Sequence, residues 1–224
     1  MSLTKTRLQP KQDMNDIAGI NIPDSKMARD LTQLIRDTES DLLFHHSTRV
    51  YLFGALTGKR KGLKFDPELL YVGAMFHDIG LTETYGHSQL RFEVDGANAA
   101  RDFLRNYGIP ESSVEIVWDA IALHTTPGIP EHKEPEVALV TRGVELDVLG
   151  MGYDDIAAAD REAVLAAYPR ENFKESIIQA FFDGMADKPE TTFGTMNDDV
   201  LADKLPGFVR ANFCEIIRGS KHTN

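Results

Sequence analysis

Several polar side chains sit at positions where helical periodicity asks for apolar ones. His46 lies three or four residues from Leu42, Leu43, Arg49 and Val50, with Phe53 one turn further. His77 continues Leu70, Gly73 and Ala74, and Asp78 follows it in the last turn before Gly80. His124 continues Val117, Ala120 and Ile121, and Asp147 continues Val137, Val140 and Val144. A buried carboxylate without a partner is normally protonated or excluded, so two inward acids among three imidazoles call for a cation. Two histidines and two aspartates offer two nitrogens and two oxygens. That set suits one divalent ion, zinc by preference, with Fe or Mn admissible and room left for water. Neighbours on a regular helix diverge by about 100°, but His77 and Asp78 stand at a fraying end where both can face one ion. The competing reading makes each a separately satisfied core residue, and spacing alone does not choose between the two.

The elements that must carry these groups are helical. Asp24 or Ser25 caps a first helix to about Glu39, with Met27, Leu31, Leu34 and Ile35 as its apolar stripe. A second runs from about Asp41 to Leu56 and stops near Gly58. Asp66-Pro67-Glu68 opens a third that ends at Gly80. Val94 to Tyr107, closed by Gly108, and residues 110–125 follow. Pro127 to Pro135 is a loop, and 136–148 is a sixth helix closed by Gly150. Stretches near 154–168, 171–187 and 205–218 are again helical in pattern. No strand of useful length shows a period of two, so the fold class is all-α. Residues 1–22 read as a flexible arm, 23–218 as one helical domain, and 219–224 as a disordered tail.

A chain of 224 residues has room for one sizeable core. The first residues, MSLTKTRLQPKQDMN, lack the apolar run of a secretory signal, and no run is long enough to span a bilayer, so a cytoplasmic protein without membrane contact is expected. With 24 basic against 35 acidic side chains the formal charge is −11, which repels a phosphate backbone and argues against nucleic acid. Lys59-Arg60-Lys61 reads as a solvated helix end. One cysteine, Cys214, excludes internal disulfides and thiolate metal clusters. The expected partner is a small-molecule substrate, and the composition leaves room for a homo-oligomer.

The order H, then HD, then a distal D, filled by His46, His77-Asp78 and Asp147, resembles the HD superfamily of metal-dependent hydrolases. "HSTRVYLFG", "FDPELLYVGAMFHDIGLTE", "RFEVDGANAARDFL" and "WDAIALHTTPGIPEHKEPEVALVTRGVELDVLG" resemble its cyanamide-hydratase-like branch more closely, across roughly residues 40–152. The resemblance implies a helical bundle in which His46, His77, Asp78 and Asp147 hold one ion. Members with two metals show further histidines where this chain has Phe92 and Thr125, so a single ion is expected. His124 is then a residue beside the ligands or a proton-transfer group, with a ligand role as the lesser alternative.

Such an ion lowers the pKa of water from 15.7 toward about 7. On the closer resemblance the electrophile is a small nitrile-type carbon such as that of cyanamide. His124 supplies a proton to the nitrogen and Thr125 orients the substrate. The alternative is a phosphate ester, for which Arg49 and Arg91 would bind substrate. A third reading, a ligand-sensing module without turnover, predicts a degenerate ligand set, whereas this set is complete. Glu83 and His87 lie in a connection able to cover the site. His45 and His132 read as surface residues, His222 as part of the tail, and Trp118, Phe181 and Phe182 as core.

Overall fold

The computed structural model describes residues 16–221, and all of them but one short hairpin are helix, turn or loop. Helix α1 (Lys26–Thr38) starts at Ser25, whose hydroxyl accepts the Ala28 amide at 3.1 Å. Helix α2 (Asp41–Lys61) is the spine, buried on nearly every face from Leu43 to Gly58. It outruns the expected stop at Gly58 by one turn. Lys59, Arg60 and Lys61 suit the negative end of the helix dipole, and Gly62 supplies the left-handed closing residue at φ 65°.

Helix α3 (Pro67–Phe76) begins at Asp66, whose carboxylate accepts the Glu68 and Leu69 amides. The regular helix ends before the His77-Asp78 doublet rather than at Gly80. Asp78 takes φ −107° and ψ 1°, and a 3-10 turn covers Ile79–Leu81. Helices α4 (Phe92–Asn106) and α5 (Glu111–Ala122) pack side by side against α3. Helix α6 (Pro135–Val144) crosses α2 with almost nothing between the backbones. A Cβ at Gly54 would stand 2.7 Å from Leu139 O, and one at Gly143 would intrude on Val50 O. Glycine on both sides therefore sets this crossing, and with it the approach of Asp147 to α2.

The expected continuous helix over 136–148 changes form at Glu145. Residues Glu145–Leu149 make a π turn, closed by left-handed Gly150. The wider turn rotates Asp147 away from where an α-helix would aim it.

Helices α7 (Ala158–Ala167), α8 (Phe173–Met185), α9 (Asn197–Lys204) and α10 (Phe213–Arg218) complete the chain. The stretch 205–218 is helical only in α10, and α9 lies where no helix was expected. Asn197 and Leu201 are the buried residues of α9, too few for a periodic signal.

Residues 16–22, assigned from sequence to a loose arm, are instead anchored. Asp16–Ile17 (β1) pairs antiparallel with Ile20–Asn21 (β2) around Ala18 and Gly19, both at positive φ, and Tyr51 Oη donates to Asn21 O at 2.7 Å. Ala-Gly is not the usual Asn-Gly signature of this turn, so the hairpin left no mark in the pattern. Residues 1–15 and 222–224, with His222, lie outside the described residues.

Two apolar clusters organise the interior. The larger joins α1 to α6 around Leu52, Leu70, Ile79 and Val140. The smaller, Leu43, Leu81, Phe92, Phe173, Ile177, Met185 and Leu201, places α8 and α9 against the inner ends of α2, α3 and α4.

Candidate metal centre

The histidines arrive at one point because three helices end or pass there. His46 sits mid-α2. His77 and His124 each follow the last turn of a helix, and each turns its ring back onto a carbonyl of that turn. His77 Nδ1 lies 2.7 Å from Ala74 O, and His124 Nδ1 lies 2.7 Å from Ile121 O. His46 Nδ1 lies 2.7 Å from Asp147 Oδ2. Oxygen acceptors at all three Nδ1 atoms place the ring proton there, so each Nε2 presents a bare lone pair.

Those lone pairs converge. His46 Nε2 and His77 Nε2 are 3.2 Å apart, and Asp78 Oδ2 is 3.2 Å from His77 Nε2 and 3.5 Å from His46 Nε2. His124 Nε2 stands 3.7 Å from Asp78 Oδ1. His46, His77 and Asp78 are wholly enclosed (0% exposed), and ligand atoms of the three all lie within 4.8 Å of one another. Neither oxygen of Asp78 receives a hydrogen bond. A buried carboxylate facing three lone pairs, with no proton between them, is repulsive unless a cation sits among them. Separations of 3.2–3.5 Å are those of atoms sharing an ion at bonds of about 2.0–2.2 Å. The residues present therefore fit a divalent metal ion.

Without an ion, the same contacts set the titration of these groups. Burial alone would raise the pKa of Asp78, but His77, His46 and His124 outweigh it and hold the carboxyl well below the usual range. Burial lowers His46 despite Asp147, and burial with His77 pushes His124 down to about 4. His77 is raised: burial opposes this, and Asp78 and the Ala74 carbonyl prevail.

Asp147 does not join the group of three. Its Oδ1 accepts from Arg49 Nε at 2.8 Å and its Oδ2 from Arg49 Nη2 at 2.9 Å, with Arg170 Nε 3.2 Å from Oδ1. It thus fastens the far side of the His46 ring. Arg49, expected to bind substrate, is fully buried, and its Nη1 goes to Tyr168 O and Pro169 O. Its guanidinium is thus enclosed and held by the protein itself rather than presented to a substrate.

Thr125 and Arg91 meet elsewhere, on Glu93. Thr125 Oγ1 donates to Glu93 Oε1 at 2.5 Å, Arg91 Nη2 lies 2.8 Å from Oε1, and Asn197 Nδ2 reaches it at 3.1 Å. Burial would raise Glu93, but Arg91, His124 and Thr125 lower it on balance, so it is ionised. Sequence reading missed Glu93 because the helix was expected to start at Val94. With α4 starting at Phe92, Glu93 lies in its first turn and faces inward. Arg170, Lys188 and Asn197 were missed too, since only long-range contact gives them a role.

Phe92 and residues beyond 152 roof the centre. The Phe173 ring lies 5.4 Å from His46, Phe92 lies 5.7 Å from His124, and Phe181 backs Phe92 at 5.9 Å. Lys188 Nζ, buried, pairs with Asp95 Oδ2 at 2.9 Å and reaches Gly86 O at 3.1 Å. Glu83 and His87 border a cleft of ≈ 390 Å³ beside Lys188, near the centre but outside it. His45 and His132 take no part in the centre, and Trp118, Phe181 and Phe182 are partly buried packing residues.

A family model described as HD domain matches residues 43–179, more than half of the chain. No curated protein matches it.

Proposed function

Because the chain belongs to the HD domain family, whose members are typically metal-dependent hydrolases, we propose that it adds water to a small nitrile-type substrate such as cyanamide. The observation that carries a metal-dependent reaction is the orphaned, fully buried Asp78 carboxylate set against the Nε2 atoms of His46, His77 and His124. His46, His77 and Asp78 would hold the ion, with zinc favoured and His124 adjacent. When bound, it supplies Lewis acidity and lowers the pKa of water toward about 7.

The chain's own groups set the proton path. His124, its Nδ1 proton committed to Ile121 O and its pKa down at about 4, is neutral at pH 7. It does not start as the proton donor expected from sequence. It accepts the proton that water loses on attack and passes it to the nitrile nitrogen, which gains negative charge as the C–O bond forms. Asp147, gripped by Arg49, keeps His46 in one tautomer. Glu93 orders Thr125 and Arg91 one step away, where Thr125 can orient the substrate's polar end.

Two observations support a small neutral substrate over a phosphate ester. Arg49 is spent on Asp147, and Phe173, Phe92 and Phe181 give the centre an apolar roof. Assay of the purified, metal-replete protein against cyanamide and a nucleotide panel tests this. Urea release without phosphate release is expected, and phosphate release alone would replace the reading with a phosphohydrolase.

A further inference from the structure

In a chain with 35 acidic and 24 basic side chains, cations should find carboxylates easily. Around one cavity they do not. A pocket of ≈ 190 Å³ on the outer side of the π turn is bordered by Arg161, Arg170, Lys174, Tyr153, Leu149 and Asp147. Asp147 is the one acid on its wall, and both its oxygens are already engaged by Arg49 and His46. Arg170, 3.2 Å from Oδ1, shares a carboxylate that Arg49 already neutralises.

Arg161 and Lys174 have no carboxylate within 4.0 Å among the described residues. Arg161 lies over the Tyr153 ring at 3.8 Å and gives Nη1 to the carbonyls of Tyr153 and Ile156, acceptors that carry no net charge. The Nε–H of Arg161 is buried and donates to nothing, and that of Arg170 has only the poorly aligned contact with Asp147. Three positive groups, one buried N–H donor left over on Arg161 and no free acid make a site for negative charge. The volume is below the about 300 Å³ at which pockets for drug-sized ligands begin, so the ligand is small.

We propose that this pocket binds a small oxyanion, a phosphate or carboxylate group, held by Arg161, Arg170 and Lys174. The bound group ties α7 to the start of α8, the segment that roofs the metal centre. The pocket is separate from the centre, since His77, Asp78 and His124 do not border it.

Titration calorimetry of the full chain with inorganic phosphate tests the assignment, with ionic strength held constant by chloride. Saturable binding at one site is expected, weakened at least about tenfold in Lys174→Glu and in Arg161→Gln. Lys174 is exposed on α8, so its variant keeps the fold, which circular dichroism verifies. Acetate competing with phosphate extends the site to carboxylates, and failure to compete confines it to phosphoryl groups. Absence of saturable binding overturns the proposal. So does equal binding by both variants, which would move phosphate to the metal centre or to Lys59-Arg60-Lys61.

Discussion

At His46 the two ring nitrogens do different work. Nε2 faces His77 and Asp78, while Nδ1 donates to a carboxylate that two arginines hold still. Groups in Asp147's place typically cost 10- to 100-fold in metal affinity when altered. Asp147→Asn should therefore weaken zinc binding within that range in a competitive chelator titration. A loss beyond about a thousandfold would instead mark Asp147 as a direct ligand, the role its place in the HD pattern implied. His124 supplies a second test. Its folded pKa, about 4, lies below the ordinary value of about 6.5. The unfolded chain then binds the extra proton first, so stability is present above pH 6.5 and is lost as pH falls toward 4. In metal-free protein the loss should approach about 3 kcal/mol and shrink in His124→Gln, as read by urea denaturation at each pH. An unchanged pH profile in the variant would sink this assignment. The types and order of these residues were legible in the chain. Which nitrogen faces which oxygen was not, because that depends on carbonyls and acids from other turns.

Caps and stops foretold α1 to α6 with small end errors, and those errors carried consequences. Ending α3 at Phe76 frees Asp78 to turn beside His77, and starting α4 two residues early brings Glu93 inside. The π turn at Glu145–Leu149 has no composition signal, since it answers to the α2–α6 crossing and to Arg49. The roof formed by α8 and α9 is fastened to α4 by Lys188 on Asp95 and Asn197 on Glu93. Lys188→Met leaves Asp95 buried without its partner, at a cost of about 3–5 kcal/mol. Hydrogen exchange should accelerate across 182–204 while α2 and α3 keep their protection. Uniform exchange across the chain would mean that the roof does not open as a unit.

At the scale of the whole molecule, the centre draws its candidate ligands from α2 and from the end of α3, with His124 beside them at the end of α5, so an ion bound there cross-links the bundle. At a hundredfold excess over its Kd, an ion stabilises the fold by about 2.7 kcal/mol. In a chain of this size its removal should lower Tm by about 5–10 °C. Dialysis against a chelator followed by a thermal scan measures the drop, and re-addition of zinc should restore it. An identical Tm with and without chelator would remove the metal from the account. No described helix is long and apolar enough to cross a membrane.

The chain by itself determined the helical class, the run of caps and glycines, and the inward placement of His46, His77, Asp78 and His124. These follow from periodicity and local sterics, which act over a few residues. Tertiary structure alone decided that Asp147 and Arg49 serve the His46 ring, that Glu93 orders Thr125 and Arg91, and that α8 and α9 close over the centre. Such roles arise between residues far apart in the chain, His46 and Asp147 by 101 positions and Glu93 and Asn197 by 104, where packing chooses the partner and local sequence leaves no trace.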